Sequence, residues 1–336
     1  MKALISRSVG GPQTLELAEV PEPEAAAGRV VVAVRACGVN FPDVLIIEDK
    51  YQLKPPRPFS PGMEISGVVA ALGEGVEGVK VGDRVLTHLD YGGMAERAAV
   101  DARRLVKIPD SMPFDLAAAF QLTYSTSLYA LKNRGRLQAG ETLLVLGAAG
   151  GVGLAAVEIG KAMGARVVAA CSSQEKVDLA CAHGADAGLV YPRGLIDREG
   201  QRALSEQFKS ACGGMGPDVI YDAVGGDYAE PALRSIAWDG RYLVIGFAAG
   251  DIPRIPLNLA LLKGCDIVGV YWGGWSVRSP ESVRDNVMEL FQMYGRGELK
   301  PHVSAHYELA RGAEAIAALA DRKATGKVIV TVGEGA

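Results

Sequence analysis

The chain has 336 residues, enough for two domains with substantial cores, and its 22% charged and 49% hydrophobic residues are ordinary for a globular α/β protein. A formal net charge of -4 with no block of like charge leaves no electrostatic footprint for nucleic acid. The longest nearly uncharged run, Thr142 to Val157, is too short and glycine-rich to span a bilayer. Cys37, Cys171, Cys181, Cys212 and Cys265 are odd in number, scattered and form no CxxC pair, and Met1-Lys2-Ala3-Leu4 opens into a strand-like segment rather than a signal peptide; we expect a cytoplasmic protein.

Residues 1 to about 35 read as β-rich: Ala3 to Ser6, a turn at Gly10-Gly11-Pro12, and the apolar run Arg29 to Arg35. A polar loop, Ala36 to Asp43, leads into a short helix from Val44 to Ile47. The prolines of residues 50 to 58 keep Tyr51 on a loop. Gly62 to Val69, Asp83 to Leu86 and Ala95 to Val100 continue as short strands, which together predict a small barrel-like domain. From Pro113 the texture turns alanine-rich, and Phe114 to Lys132 is expected to be helical. Strands are then predicted at 143–146, 166–170, 187–190, 218–221, 242–245 and 266–270, six with intervening helices, as in a doubly wound parallel sheet. Helices at Glu281 to Tyr294 and Arg311 to Lys323 and a last strand at Lys327 to Val332 complete the chain. The expected division is 1–122, 123–265 and 266–336, the last segment holding the sixth strand and a return to the first domain.

Residues 142 to 173 carry the chemistry. Gly147-Ala148-Ala149-Gly150-Gly151-Val152-Gly153 stands between an apolar strand and an amphipathic helix, with a second strand about 20 residues on. Glycines let the backbone approach a pyrophosphate, and the helix N-terminus stabilises the anion. The alternative is a tight turn that needs glycine for packing alone. An acidic residue after the second strand would bind the ribose hydroxyls of NAD, but the chain has Cys171-Ser172-Ser173-Gln174-Glu175-Lys176. Ser172 and Ser173 can donate to a 2'-phosphate and Lys176 adds positive charge, which favours NADPH; Glu175 speaks against it. Ser173 also suits the N-cap of the next helix, with Lys176 on its solvated first turn.

The stretches ACGVNFPD (36–43), PGMEISGVV (61–69), VGDRV (81–85), TSLYAL (126–131), GAAGGVG (147–153), GARVVA (164–169), SSQEK (172–176), DVIYDAVGG (218–226) and ATGKVIV (324–330) resemble the medium-chain dehydrogenases/reductases, in particular the zinc-free NADPH:quinone oxidoreductase branch that includes zeta-crystallin. The resemblance covers essentially the whole chain. It implies a GroES-like β-barrel catalytic domain, built from the N-terminal segment and the C-terminal tail, around a doubly wound Rossmann domain for NADPH. Zinc alcohol dehydrogenases of this fold use a Cys, the His of a GHE motif and a third Cys or carboxylate. Here Cys37 and Glu64 match, Met63 stands in place of the His, and Leu122 falls at the third position, so no zinc is expected.

The same resemblance places Asn40 and Thr126 near the nicotinamide and its ribose, and Tyr191 near the adenosine phosphate. It assigns Lys176 to the 2'-phosphate and Gly150, Gly151, Val152 and Gly153 to the pyrophosphate, with Phe247 and Arg322 as further cofactor contacts. The bland alternatives are Asn40 as a turn residue, Thr126 as a helix cap and Tyr191 as surface packing. Tyr51, eleven residues after Asn40, occupies the spacing of a proposed proton donor in related enoyl-thioester reductases; quinone reductases often carry tyrosine there too. His88 lies near the expected cleft rim, whereas His183, His302 and His306 read as ordinary surface or helix residues. Tyr271 to Trp275 reads as a loop that closes over the site or joins the core or a subunit contact.

The expected activity is reduction of a small electron-poor acceptor such as a quinone, with Tyr51, Asn40 and Thr126 nearest the chemistry. An enoyl-thioester or α,β-unsaturated ketone reductase is the alternative, and a non-catalytic NADPH-binding protein is a third. Family members commonly pair through the strand near Asp266 to Tyr271, so a homodimer is expected, with no nucleic-acid or membrane partner.

Overall fold

The computed structural model describes residues 1–194, 196–322 and 324–333. The chain forms two compact units: Met1–Leu122 with the segment from Pro301 onward, and Thr123–Lys300. The segment 266–336 is therefore divided at Lys300.

The first unit opens with an antiparallel ribbon of β1 (Lys2–Ser6) and β2 (Leu15–Glu19). The long strand β3 (Arg29–Val39) follows, extending past the expected end at Arg35. Helix α1 (Phe41–Ile47) starts three residues earlier than the apolar run suggests, because Asn40 and Asp43 close a capping box around its first turn. Then come β4 (Glu64–Leu72), β5 (Arg84–His88), β6 (Arg97–Asp101), β7 (Val106–Lys107) and α2 (Phe114–Ala118).

The single helix expected over Phe114 to Lys132 is broken. After α2 the chain turns at Ala119-Phe120, resumes as α3 (Gln121–Leu128) and ends in a π-helical turn, Tyr129–Arg134. The break has a side-chain cause: the Leu122 amide donates to Glu64 Oε1 at 2.7 Å rather than to a carbonyl of the preceding turn.

The second unit contains β8 (Thr142–Leu146), α4 (Gly151–Ala162), β9 (Arg166–Cys171), α5 (Gln174–Ala182), β10 (Ala187–Val190), α6 (Arg198–Ala211), β11 (Val219–Asp222), α7 (Ala229–Ser235), β12 (Arg241–Val244), α8 (Asn258–Lys263), β13 (Asp266–Gly269), α9 (Trp272–Arg278) and α10 (Pro280–Gly295). All six strands expected there form one parallel sheet in the order β10-β9-β8-β11-β12-β13, so the order reverses beside β8. Leu144, Leu146, Val168, Ala170, Ile220 and Leu233 fill its core. The segment Tyr271–Trp275 is not a loop: Trp272 is buried at the start of α9, and Trp275 stacks on Tyr129 with centroids 4.3 Å apart. Burying indole surface outweighs the two intervening glycines' poor helix propensity.

The chain returns to the first unit as β14 (Val303–Glu308), α11 (Gly312–Ala320) and β15 (Lys327–Thr331). Lys323, the expected end of α11, lies outside the described residues. Strand β15 pairs antiparallel with β3, and the sheet runs β14-β15-β3-β4-β5-β7 with β6 also on β3. Val328 faces Val39 in this register, which brings Lys327, one residue earlier, to the end of β3 where Asn40 begins.

Candidate active site

In the second unit, the site begins where the central strand runs out. Gly147 follows β8 with φ +72°, a conformation glycine adopts without penalty, and its amide and that of Ala148 donate to Ala170 O on the neighbouring strand. The chain then enters α4 with Gly150 at the N-cap. At Gly153 a Cβ would lie 2.2 Å from Gly147 O and 2.8 Å from Ala148 Cα, so helix and turn approach more closely than any side chain permits. Gly151, Val152 and Gly153 occupy the first turn, whose amides have no acceptor inside the helix. This is a backbone cradle at a helix N-terminus, a geometry that can hold an anion. Thr126, half-buried on α3, is held beside it: the adjacent Ser127 hydroxyl donates to Val152 O at 2.9 Å and pairs with Tyr221 Oη at 2.9 Å. Thr126 is mid-helix and caps nothing.

Because β8 and β9 are parallel neighbours with Leu146 opposite Ala170, the chain leaving β9 emerges beside the glycine turn. Ser173 is the N-cap of α5, and Lys176 lies half-buried in its first turn. Arg193, which the sequence reading passed over, donates from Nε to Ser172 O at 3.2 Å. Burial, and then the nearby Arg193 guanidinium, push the Lys176 ammonium below its usual pKa. Two cations and two hydroxyl side chains thus gather at one strand end. The signal for Arg193 was its position just past β10, the strand next to β9.

Tyr191 leaves β10 at the same edge, its amide bonded to Cys171 O at 2.9 Å, yet its ring is 7% exposed and packs on Tyr228 at 4.6 Å. It is a core residue rather than the surface packing weighed in the sequence. Phe247 follows β12 and lines a pocket of about 150 Å³ with Asp222, Tyr242 and Ile252. Asp222 was also missed. Its Oδ1 accepts the amides of Val224 (2.8 Å) and Gly225 (2.9 Å), and Tyr242 Oη donates to Oδ2, which orders the loop after β11. Burial raises its pKa. His183, expected to be ordinary, contacts the buried Glu158 at 2.5 Å, and Tyr124 Oη donates to that carboxylate at 2.7 Å.

In the first unit, Asn40, Asp43, Glu64 and Lys327 are all buried, Glu64 and Asp43 fully. Lys327 Nζ donates to Asn40 Oδ1 at 2.7 Å and Glu64 Oε2 at 2.9 Å. Asn40 Nδ2 donates to Glu64 Oε2 at 3.2 Å and Gly38 O at 3.1 Å. Asp43 accepts the amides of Asn40 and Gly62 at 2.8 and 2.9 Å; burial nevertheless pushes its pKa up to about 6. Asn40 is therefore a cap and a cluster member at once. Lys327 is the principal residue that sequence reading missed, since only the β15–β3 register reveals it.

Tyr51 lies on the loop after α1, half-buried against the core of this unit. His88 is buried at the end of β5; burial and the charge of Arg104 push its pKa down to about 4, so the imidazole is neutral at pH 7. Arg322, at φ +57°, is exposed just after α11. His306 meets Asp115 at 3.0 Å.

The zinc donor set does not fit. Met63 offers a thioether in place of an imidazole, and Leu122 contributes only its amide, to Glu64. Burial holds the Cys37 thiol protonated, well above its usual pKa, and Glu64 already accepts three hydrogen-bond donors. Among the described residues no group of three or more His, Cys, Asp or Glu side chains is placed to hold a metal ion.

Residues 26–110 match the alcohol dehydrogenase GroES-like domain, and residues 151–292 match the zinc-binding dehydrogenase model, whose description the donor set just given does not satisfy. The chain is 41% identical over 305 residues to the quinone oxidoreductase-like protein 2 homolog of Nematostella vectensis, covering 90% of this chain and 81% of that protein. It is 34% identical to a quinone oxidoreductase of Pseudomonas aeruginosa, covering 96% of each. The Escherichia coli quinone oxidoreductase solved with NADPH superposes with a TM-score of 0.90 at 27% identity, over 98% of this chain and 100% of that one. With a GroES-like β-rich unit, a doubly wound sheet and these relatives over nearly its whole length, the chain belongs to the quinone oxidoreductase family of medium-chain dehydrogenases/reductases.

Proposed function

We propose that the protein is a zinc-independent reductase that uses NADPH to reduce quinones or similarly activated carbonyl compounds. The observation that carries this reading is the donor set: Met63 and Leu122 occupy two of the three metal-ligand positions, and the carboxylate beside them, Glu64, is already paired with the buried Lys327 ammonium. A site so built has no strong electrophile to activate an unactivated alcohol or ketone, so its acceptor is one whose conjugation already delocalises the incoming charge. Gly151, Val152 and Gly153 bind the pyrophosphate, and Ser172, Ser173, Lys176 and Arg193 take the 2'-phosphate. Asn40 and Thr126 orient the nicotinamide end, and Phe247, Tyr191 and Arg322 complete the cofactor's surroundings. Bound there, NADPH supplies the hydride. Tyr51 or solvent supplies the proton.

We further propose that the protein works in the cytoplasm as a homodimer joined along β13. That strand ends the parallel sheet, and Ile267 on it, with Trp238, Leu257, Leu261 and Leu262 nearby in the chain, is exposed. Among the described residues no helix is long and apolar enough to cross a membrane.

The test is NADPH oxidation by chelator-treated protein with 1,4-benzoquinone, a short enone and crotonyl-coenzyme A in parallel, and NADH as control. Fastest turnover with the quinone and little use of NADH supports the reading. Preference for the thioester, abolished by Tyr51→Phe, moves the assignment to an enoyl reductase. Binding of NADPH without reduction of any acceptor leaves a non-catalytic NADPH-binding protein.

A further inference from the structure

The loop that carries Tyr51 has little backbone bonding to hold it. Residues 52–58 include Pro55, Pro56 and Pro58, which have no amide hydrogen, and among the described residues no backbone hydrogen bond begins or ends in that stretch. One side chain ties it down. Arg57 donates from Nη2 to Ile47 O at 2.9 Å and from Nε to Ser6 Oγ at 3.3 Å, pairs through Nη1 with Asp49 Oδ1 at 2.9 Å, and lies over the Phe59 ring at 5.3 Å. Its side chain is only 16% exposed, so these contacts are weakly screened. Ile47 ends α1, and Asp49 turns the chain away from it at φ +55°, a conformation that Asp tolerates better than most residues. The guanidinium therefore joins the far end of the loop to its near end and closes residues 49–57 into a ring that includes Tyr51. A planar fork of donors can serve acceptors on separate segments at once, which a lysine ammonium on its single point cannot.

We propose that Arg57 is the positioning residue for Tyr51: by clamping the two ends of the loop together it holds the phenol at one place, ready to donate its proton. The inference rests on the reading of Tyr51 as the proton source. A general acid works only within hydrogen-bond reach of the atom it protonates, and a loop closed in advance does not have to be ordered again at each turnover. The glycine turn and the cations after β9 belong to the other unit, so NADPH binding should not depend on this clamp.

A double-mutant cycle tests it, with whichever of the three acceptors is turned over fastest. Arg57→Met is expected to lower kcat about tenfold while KM for NADPH stays within about threefold. In a Tyr51→Phe background the same substitution should cost less than about twofold, because the group it positions is gone. Equal losses in both backgrounds, or wild-type kcat in Arg57→Met, overturn the proposal. Trypsin gives a readout that needs no turnover. Lys54 and Arg57 both precede prolines and resist it, so Lys50–Tyr51 is the bond it cuts in this loop. Arg57→Met should be cut there about tenfold faster than wild type, with cleavage elsewhere and the melting temperature unchanged. Cleavage that rises equally at all sites marks a general loss of stability and overturns the proposal. Asp49→Asn, which removes only the ion pair, should move kcat and cleavage in the same directions by about threefold, and it carries the test if Arg57→Met does not fold. If Tyr51→Phe keeps wild-type kcat, or wild type reduces no acceptor, the functional reading fails by itself. The clamp is then judged by trypsin alone: it stands if Lys50–Tyr51 is selectively opened and falls if that bond is cut at the wild-type rate.

Discussion

The two units prepare for a ligand with opposite materials. In the second, backbone does the work: a left-handed glycine, a helix that can approach Gly147 because residue 153 has no Cβ, and amides at a helix start. In the first, buried side chains from β15, β4 and the start of α1 hold one another in place. Backbone geometry is local in sequence and tolerates change in most side chains around it. A buried charge cluster is assembled from distant segments, and each member depends on the others. The contrast predicts that single substitutions are most damaging in the first unit, and that they act there through stability and pH as well as through binding.

The largest expected effect is that of Lys327→Met, which leaves the Glu64 carboxyl without its counter-charge in the core. Breaking a buried pair from one side typically costs about 3–5 kcal/mol, a large part of a domain's stability. Urea denaturation should show that loss, and most of it should return when Glu64→Gln is added. A loss under about 1 kcal/mol would mean that the pair is solvated, and the comparison between the units would collapse.

Next in size is pH. Asp43 is raised from 3.8 to about 6, so its contribution to stability is full below pH 3.8 and is lost as pH rises through 6. His88 is lowered from 6.5 to about 4, so its contribution is full above 6.5 and is lost as pH falls through 4. Each amounts to about 3 kcal/mol, and between pH 4 and 6 the two slopes oppose one another. In His88→Gln only the Asp43 slope survives. Relative to wild type, this variant should gain about 3 kcal/mol on acidification from pH 6 to 4. Parallel stability curves for the two proteins would show that the imidazole titrates normally.

This difference in materials also explains what was legible in the sequence. The glycine turn, the six parallel strands and the serines after β9 are all local patterns, and all six strands lie within a residue or two of where alternation and spacing put them. Lys327 was invisible because its meaning depends on a strand pairing 287 residues from Asn40. The break between α2 and α3 was missed for the same reason: alanine-rich sequence favours helix, and only the Glu64 carboxylate, 58 residues away, draws the Leu122 amide off the helical path. Trp272 and Trp275 were misplaced in a loop because two glycines suppress the helical signal that aromatic packing restores.

In the backbone-built unit, Gly153→Ala is the sharpest single change. Its methyl would meet Gly147 O at 2.2 Å, so either the turn or the helix must move. Overpacking of this kind costs about 1–3 kcal/mol, and we expect NADPH affinity, measured by calorimetry, to fall on the order of tenfold or more. Affinity within twofold of wild type would show that the cradle is more yielding than its contacts suggest.

The smallest effect should come from the charged side chains at the strand end. Lys176 and Arg193 are close enough for the guanidinium to depress the lysine pKa, and each is partly solvated, so neither alone commands a large interaction energy. Lys176→Ala should weaken NADPH by about 1 kcal/mol, roughly fivefold to tenfold, with NADH affinity unchanged. Arg193→Ala should do the same and also loosen the Ser172 carbonyl it holds. If a single 2'-phosphate is shared between these two cations, which repel one another, the double variant should lose more than the sum: in each single variant the remaining cation, relieved of repulsion, makes up part of the loss. Salt supplies the control. Raising ionic strength should shrink the NADPH preference of wild type toward that of the double variant, since solvated ion pairs are screened and a backbone cradle is not. Loss of NADH and NADPH affinity in equal measure on Lys176→Ala would instead assign the lysine to the fold of α5, and leave the choice of cofactor to Arg193 and the serines.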